Sequence, residues 1–275
     1  RFSPDATSVF LSSDRDRDHL SLFEVKLDSR DWKLLSHDIP WSIEHLSVSK
    51  HASALTFSAN ADGYSQIYQM KLPEGAISPI TTPRGIVGSL KIAPEASKAA
   101  FTFRSATDIG SIFSLALDTG ELSELARGDL GDLKSEQLSE PSLVRYQSFD
   151  GLEVPAFYYR PQGEGPFPTI IKIHGGPESQ SRPTFNTLVQ YLVTECGYAV
   201  LTPNVRGSRG YGKKYLALDN GMLRKDSVKD IGALLDWIRH QPELDSTRVG
   251  VMGGSYGGYM VLASLIDYGK QIRAG

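Results

Sequence analysis

The strongest constraint on the fold is a repeat of about 45 residues in the first half of the chain. Three apolar segments align at one offset, with Phe23, Tyr68 and Phe113 each 45 residues apart. The apolar residues two and four positions after each of them keep the same offset. Because apolar and polar residues alternate within these segments, the repeat predicts short β-strands.

Each repeat unit contains further short apolar runs on both sides of the aligned segment. They are residues 9–11, 54–57 and 100–103 upstream, and residues 32–35, 77–80 and 122–125 downstream. Three or four short strands per unit are typical of β-propeller blades, and a β-sandwich with accidental spacing is the alternative. Since three blades do not close a ring, we expect the repeats to be part of a longer propeller.

The second half of the chain alternates strands with helices. A hairpin is predicted around Asp150-Gly151, and Pro155 suggests that its second strand lies at a sheet edge. The pair Ser227 and Asp230 resembles a capping box at the start of a helix. The predicted strands are 169–173, 198–202 and 248–252, and the predicted helices are 185–195 and 228–238.

Such alternation predicts an α/β domain with a largely parallel sheet. The predicted organisation is therefore about three propeller blades in residues 1–140, followed by the N-terminal part of an α/β-hydrolase domain in residues 141–275.

The motif Gly253-Gly-Ser-Tyr-Gly257 lies between a predicted strand and an apolar predicted helix. This is the context of a nucleophile elbow, in which Ser255 is presented on a strained turn above the sheet. Gly253 and Gly257 occupy positions where only a very small residue lets strand and helix approach each other. The Tyr256 N–H is expected to face a developing oxyanion. A structural glycine turn that opens a helix is the alternative interpretation.

A second motif, His174-Gly-Gly-Pro177, directly follows the predicted strand 169–173. In an α/β-hydrolase the loop at this place supplies the other oxyanion N–H, so Gly176 is the favoured donor and Gly175 the alternative. His174 precedes the elbow, which contradicts the hydrolase order of Ser, Asp and His. We therefore expect it to shape the loop, next to the substrate side of the site.

A third glycine-rich loop, residues 204–212, follows the strand 198–202 and contains Arg206. Arg206 is predicted either to contact substrate or to pair with a carboxylate such as Asp226 or Asp230. No Walker-type Lys-Ser/Thr follows the loop, which argues against phosphate binding. The other histidines, with Asp267, are expected at the surface; they are His19, His37, His45, His51 and His240.

Composition excludes several classes of function. A net charge of −3 and the lack of a basic block argue against nucleic-acid partners, and no apolar run reaches the ~20 residues that span a membrane. The single cysteine, Cys196, has no neighbours with metal-ligand spacing, so no metal and no cofactor are expected. The sequence leaves oligomeric state and compartment open; a homo-oligomer is compatible with it, and of the compartments the cytoplasm is favoured.

Taken together, these motifs resemble the prolyl oligopeptidase family of serine peptidases, nearest its acylaminoacyl-peptidase and dipeptidyl-peptidase-like branches. The resemblance rests on the repeats, the hairpin 148–155, and the motifs that begin at His174, Asn204 and Gly253. It implies a propeller that limits substrates to short peptides, and an acyl-enzyme formed on Ser255. Some branches place a Tyr hydroxyl where this chain has His174, so that donor is absent here.

The resemblance also implies an Asp and a His after the elbow, and residues 256–275 contain no histidine. We therefore expect the triad partners to lie outside this chain and the 275 residues alone to be inactive. Two alternatives to a peptidase remain at this point. One is an esterase or lipase built on the same elbow, and the other is a non-catalytic binding protein.

Overall fold

The computed structural model describes residues 1–3, 5–50, 54–72 and 75–275. Within these residues the chain divides into two compact units. The first comprises residues 1–131 with 210–212, and the second comprises residues 132–209 with 213–275. The domain limit predicted between residues 140 and 141 stays a prediction.

The first unit consists of short antiparallel strands. They are β1 (Ser8–Ser13), β2 (Ser21–Lys26), β3 (Trp32–Leu34), β4 (Ser42–Val48), β5 (Ala54–Ala61), β6 (Tyr64–Lys71), β7 (Ile77–Ile80), β8 (Ile86–Ile92), β9 (Lys98–Arg104), β10 (Ser111–Ala116) and β11 (Leu122–Arg127). In the described residues they form three sheets in chain order, with β1–β3, β4–β7 and β8–β11 as consecutive meanders.

The 45-residue offset corresponds to equivalent contacts in successive sheets. Phe57 lies opposite Tyr68 in the ladder between β5 and β6, and their rings stack with centroids 5.3 Å apart. Phe101 and Phe113 make the same cross-strand pair between β9 and β10, with centroids 5.7 Å apart. Cross-strand aromatic pairs stabilise a sheet, so the repeat preserves a packing contact as well as a strand pattern.

Consecutive sheets share apolar cores. One core joins Phe10 and Leu22 of the first sheet to Leu55 and Phe57 of the second. A further core joins Ile67 of the second sheet to residues of the third, namely Val87, Phe101, Phe103 and Leu115. Each sheet therefore buries its apolar side chains against its sequence neighbour, as propeller blades do.

The second unit is an α/β sheet with helices. Its strands are β12 (Ser142–Gln147), β13 (Glu153–Tyr159), β14 (Phe167–Ile173), β15 (Ala199–Pro203) and β16 (Leu244–Gly253), and its helices are α1 (Thr187–Thr194), α2 (Gly212–Leu216), α3 (Arg224–Arg239) and α4 (Tyr256–Tyr268). The spatial order is β12-β13-β15-β14-β16. Strand β14 runs parallel to both β15 and β16, whereas the hairpin β12–β13 is antiparallel.

The prediction of an edge strand at Pro155 is wrong. Strand β13 lies between β12 and β15, and β12 forms the edge. The ladder between β13 and β15 begins at Ala156, one residue after Pro155, and the Pro155 carbonyl accepts a hydrogen bond from Asn204 N at 2.8 Å. Proline is tolerated here because the neighbouring segment bonds only to the Pro155 carbonyl and requires no N–H from this position.

The predicted capping box is also wrong. Helix α3 begins at Arg224, so Ser227 and Asp230 lie inside the helix rather than at its end. Both side chains are buried, where they bond to groups from other elements. The spacing of Ser227 and Asp230 reflects their contacts with other elements. Sequence spacing alone does not distinguish such contacts from a helix cap.

The histidines of the repeat half differ in exposure. His37 is exposed, His19 and His45 are partly buried, and His51 lies outside the described residues. His240 and Asp267, in the second unit, are exposed as expected.

Candidate active site

Ser255 occupies the turn between β16 and α4. The strand ends at Gly253 and the helix begins at Tyr256, so the turn contains only Gly254 and Ser255. The Ser255 backbone has φ 55° and ψ −121°, a conformation that residues with a side chain rarely adopt. Such strain persists where the surrounding structure enforces it, and here it presents an exposed hydroxyl at the N-terminus of a helix.

The two flanking glycines allow the strand and helix to meet. A β-carbon on Gly253 would lie 2.6 Å from the carbonyl carbon and oxygen of Gly257. A β-carbon on Gly257 would collide with the carbonyl oxygen of Ile173, at the end of β14. These contacts are with backbone atoms, which have no freedom to move aside, so both positions require glycine.

The backbone N–H groups that follow Ser255 differ in their partners. Gly257 N donates to Gly254 O at 2.9 Å, and Gly258 N donates to Ser255 O at 2.9 Å. Within the described residues, the Tyr256 N–H has no protein acceptor. It is therefore available to a ligand beside Ser255.

The Tyr256 side chain is held away from solvent. Its hydroxyl lies 2.8 Å from Ser227 Oγ and donates to Asp219 Oδ2 at 3.3 Å. Burial raises the pKa of Tyr256 above its ordinary value, so the ring remains a neutral phenol. Asp219 also pairs with Arg224 at 3.1 Å, which gives the buried carboxylate a cationic partner.

The loop after β14 lies directly against the elbow. A β-carbon on Gly175 would lie 3.3 Å from Gly254 O and 3.6 Å from Ser255 Cβ. Gly176 has φ +128°, and a β-carbon there would lie 2.8 Å from Ser179 N. Within the described part of the chain, the N–H groups of Gly175 and Gly176 have no protein acceptor.

Both ring nitrogens of His174 are occupied by groups other than Ser255. Nδ1 lies 2.7 Å from Gly175 O, and Nε2 lies 2.8 Å from Ser208 Oγ. Burial lowers the pKa of His174, and the hydrogen bond to Gly175 O only partly offsets this. Among the described residues, Ser255 Oγ has no hydrogen-bond partner, so the structure brings no general base to it.

Arg206 is 3% exposed and is surrounded by acidic and hydroxyl groups. Its Nη atoms donate to both carboxylate oxygens of Asp150 at 2.9 Å, and Nε donates to Asp230 at 3.0 Å. The Ser148 hydroxyl completes the cluster at 3.3 Å from Nη2. Burial lowers the pKa of Arg206, but these bonds outweigh it and raise the pKa overall.

Of the two interpretations offered for Arg206, the geometry therefore corresponds to the structural one. Asp230 is its partner, Asp226 pairs with Lys229 at 2.8 Å instead, and the contact with Asp150 was not predicted. The ring of Phe149 covers the guanidinium at 4.6 Å. Nε, Nη1 and Nη2 of Arg206 all donate to neighbouring side chains of the protein.

Two further contacts join the loop 204–209 to the segment after His174. The Asn204 side chain accepts from Ser181 N at 2.6 Å and donates to Ser181 O at 3.0 Å. Arg209 N donates to Ser179 O at 2.8 Å. Sequence reasoning missed these contacts, along with Ser208 and Asp219, because short polar residues in a glycine-rich loop carry no periodic signal.

Other features of the described residues bear on function. They contain no group of three or more His, Cys, Asp or Glu side chains arranged to hold a metal. In the same part of the chain, no helix has the length and apolar character needed to cross a bilayer.

The comparisons with known proteins agree with this architecture. Residues 183–275 match the Prolyl oligopeptidase family. An uncharacterized peptidase, YuxL, of Bacillus subtilis (strain 168) is 30% identical over 202 residues, which are 72% of this chain and 30% of YuxL. Dipeptidyl aminopeptidase BIII of Pseudoxanthomonas mexicana is 35% identical over 104 residues, 38% of this chain and 15% of that protein.

Among solved structures, puromycin hydrolase superposes with a TM-score of 0.84 at 20% identity. The superposition covers 97% of this chain and 42% of puromycin hydrolase, and at this identity it shows a shared fold. The chain thus spans less than half the length of each of these three proteins.

The predicted fold class, propeller-like blades followed by part of an α/β-hydrolase domain, is confirmed. The resemblance to the prolyl oligopeptidase family, inferred from the motifs, is also confirmed. Residues 183–275, which include the elbow, belong to the prolyl oligopeptidase family.

Proposed function

We propose that Ser255 is the nucleophile of a serine-type peptidase that hydrolyses short peptides through an acyl-enzyme. The observation that carries this proposal is the strained Ser255 backbone, with φ 55°, at a strand-to-helix turn beside unpaired N–H groups. The family match of residues 183–275 supports peptide bonds as the target, as do relatives described as a peptidase and a dipeptidyl aminopeptidase.

In this mechanism Ser255 Oγ attacks the scissile carbonyl carbon, and the carbonyl oxygen becomes an oxyanion. The N–H groups of Tyr256 and Gly176 stabilise that charge, with Gly175 as the alternative to Gly176. The C–N bond then breaks, the amine leaves with a proton, and water hydrolyses the ester on Ser255. Gly253 and Gly257 keep the turn close to β14, and Arg206 holds the neighbouring loop through Asp230.

The general base and its acidic partner are not assigned to any residue of this chain. His174 has both nitrogens engaged by Gly175 and Ser208, and His240 is exposed at the end of α3. Without a base to take the Ser255 proton, orders of magnitude in rate are lost. We therefore propose that the 275 residues alone are inactive, and a near-native rate that Ser255→Ala abolishes contradicts this.

The experiment that tests the function compares a short peptide amide with a p-nitrophenyl ester as substrates of the full-length protein. We expect peptide hydrolysis, lowered by at least about a thousandfold in Ser255→Ala. Ser246→Ala, on β16 but away from the elbow, is the matched control and retains activity. Hydrolysis of the ester without the amide would replace the peptidase with an esterase on the same elbow.

A further inference from the structure

The Asn204 side chain bonds to both backbone groups of Ser181, in the segment that follows the proposed oxyanion loop. Its Oδ1 accepts from Ser181 N at 2.6 Å, and its Nδ2 donates to Ser181 O at 3.0 Å. A backbone N–H only donates and a carbonyl oxygen only accepts, so these two bonds fix one orientation of the amide. The side chain thus holds Ser181 as a neighbouring β-strand would.

Asn204 is itself held in place directly after β15. It is fully buried, its backbone N–H donates to Pro155 O at 2.8 Å, and its carbonyl oxygen accepts from the Tyr215 hydroxyl at 2.7 Å. Strand β13 on one side and Tyr215 on the other therefore fix the backbone from which the amide projects. An amide on such a base has little freedom to follow Ser181 if that residue moves.

The segment held by Asn204 contains the turn at Gly176. Residues 174–186, all of which the structure describes, form neither helix nor strand. The backbone of Ser179 packs against Gly176, since a β-carbon on Gly176 would lie 2.8 Å from Ser179 N. Arg209 N donates to Ser179 O at 2.8 Å. The turn is thus anchored at Ser179 and, two residues further on, at Ser181.

We propose that Asn204 is a positioning residue that holds the oxyanion loop against the elbow through the backbone of Ser181. A donor is effective only about 2.7–3.1 Å from the oxyanion, so a small movement of the turn takes the Gly176 N–H out of that range. With Ser181 held, the turn stays in place and the N–H keeps its distance. This role rests on the proposed function, because Gly176 is an oxyanion donor only there.

Two substitutions at Asn204 remove the bonds to Ser181. Asn204→Ala shortens the side chain, and Asn204→Leu fills a similar volume without a donor or an acceptor. Asn186→Ala is the matched control, because Asn186 lies at the end of the same irregular segment and its Oδ1 accepts from Val189 N at 3.0 Å. Each alanine variant therefore loses a bond from a side chain to a backbone N–H, but only Asn204 holds Ser181.

The kinetic test uses the full-length protein and a short peptide amide. We expect Asn204→Ala and Asn204→Leu to lower kcat at least about tenfold with little change in KM, part of the hundred- to thousandfold that loss of an oxyanion donor costs. Asn186→Ala should keep kcat within about twofold of the wild type. A loss in Asn204→Ala no larger than the loss in Asn186→Ala overturns the proposal.

A peptide aldehyde separates positioning from general damage to the site. Its tetrahedral adduct with Ser255 carries an oxygen in the place of the oxyanion, whereas the corresponding product acid forms no such adduct. We expect Asn204→Ala to weaken binding of the aldehyde at least about tenfold and binding of the acid less than about twofold. Equal weakening of both shows that Asn204 supports the whole site rather than the oxyanion donors, and it overturns the proposal.

Amide hydrogen exchange keeps this inference separate from the proposed function. The Ser181 N–H should exchange slowly in the wild type and faster in both Asn204 variants, while the N–H of residue 204, bonded to Pro155 O, stays slow and reports an intact fold. An unchanged rate at Ser181 overturns the proposal even where kcat falls. If Ser255 of the wild type proves unreactive, the proposed function fails, and these exchange rates alone decide whether Asn204 holds the loop.

Discussion

Gly253 and Gly257 lie so close that a β-carbon on the first would fall 2.6 Å from the backbone carbonyl of the second. Gly254, between them, offers the opposite case, since a β-carbon there meets nothing within 4 Å. The three glycine positions of this turn thus differ in whether they tolerate a β-carbon. The elbow requires glycine at positions 253 and 257.

Alanine at Gly257 should destabilise the second unit, because its methyl group collides with Ile173 O. We expect a cost of about 1–3 kcal/mol in the free energy of unfolding, typical of forced overpacking. Gly254→Ala is the matched control and should stay within about 0.5 kcal/mol of the wild type. Urea unfolding of the two variants measures this, and equal stabilities would remove the packing explanation for the motif.

Phenylalanine at Tyr256 tests whether the backbone or the side chain of this residue serves the reaction. The hydroxyl bonds to Ser227 and Asp219, so its loss should cost about 1 kcal/mol of stability. The N–H is unchanged, so the reactivity of Ser255 toward a fluorophosphonate should persist. If Tyr256→Phe folds but Ser255 no longer reacts, the assignment of the backbone N–H as the oxyanion donor is wrong.

Removal of Arg206 should be far more costly than removal of an exposed arginine. Arg206→Ala leaves Asp230 buried without its cation, which costs about 3–5 kcal/mol when a buried pair is broken. Arg239→Ala is the control, because the pair between Arg239 and Asp236 is more than half exposed and is worth about 0.5 kcal/mol. Denaturant midpoints of the two variants should therefore differ widely, and similar midpoints contradict a structural role for Arg206.

The second unit should become less stable as the pH falls, because of His174. Burial holds its pKa below about 6.5, the usual value in an unfolded chain; Lys172 acts in the same direction, and Asp219 opposes it. The unfolded state thus takes up a proton before the folded state does, and stability is lost as pH falls between the two pKa values. His174→Asn should lack this slope from about pH 7 to pH 5, and parallel curves for the two proteins contradict the shift.

The sequence predicted well where structure follows local patterns. The strands around Phe23, Tyr68 and Phe113 obey the period-two alternation, and the glycine motif at Ser255 is fixed by the close packing of one turn. Both signals arise from residues that are near each other in the chain, which is why one sequence suffices to find them.

The first strands of the second and third sheets, β4 and β8, were missed for a physical reason. Each contains a register shift against its neighbour, between Ile43 and Leu46 in β4 and between Gly88 and Lys91 in β8. An extra residue in a β-bulge moves later side chains to the opposite face and breaks the alternation. A pattern search at period two therefore passes over such strands.

The polar clusters behind the site also could not be predicted from local sequence patterns. Asp150, Arg206 and Asp230 meet from a hairpin turn, a loop and a helix that are up to 80 residues apart in sequence. Ser227 and Asp230 had the spacing of a helix cap, yet their partners are Tyr256 and Arg206. Contacts of this range depend on the tertiary fold rather than on propensity.

Fluorophosphonate labelling of the full-length protein, with the modified residue mapped by mass spectrometry, tests directly whether Ser255 is an activated nucleophile. We expect a single modified serine, Ser255, because only an activated hydroxyl attacks the phosphorus. Ser255→Ala should abolish the label, and Ser246→Ala should leave it in place. A folded full-length protein that takes up no label at Ser255 would contradict the proposed nucleophile and leave the elbow as architecture alone.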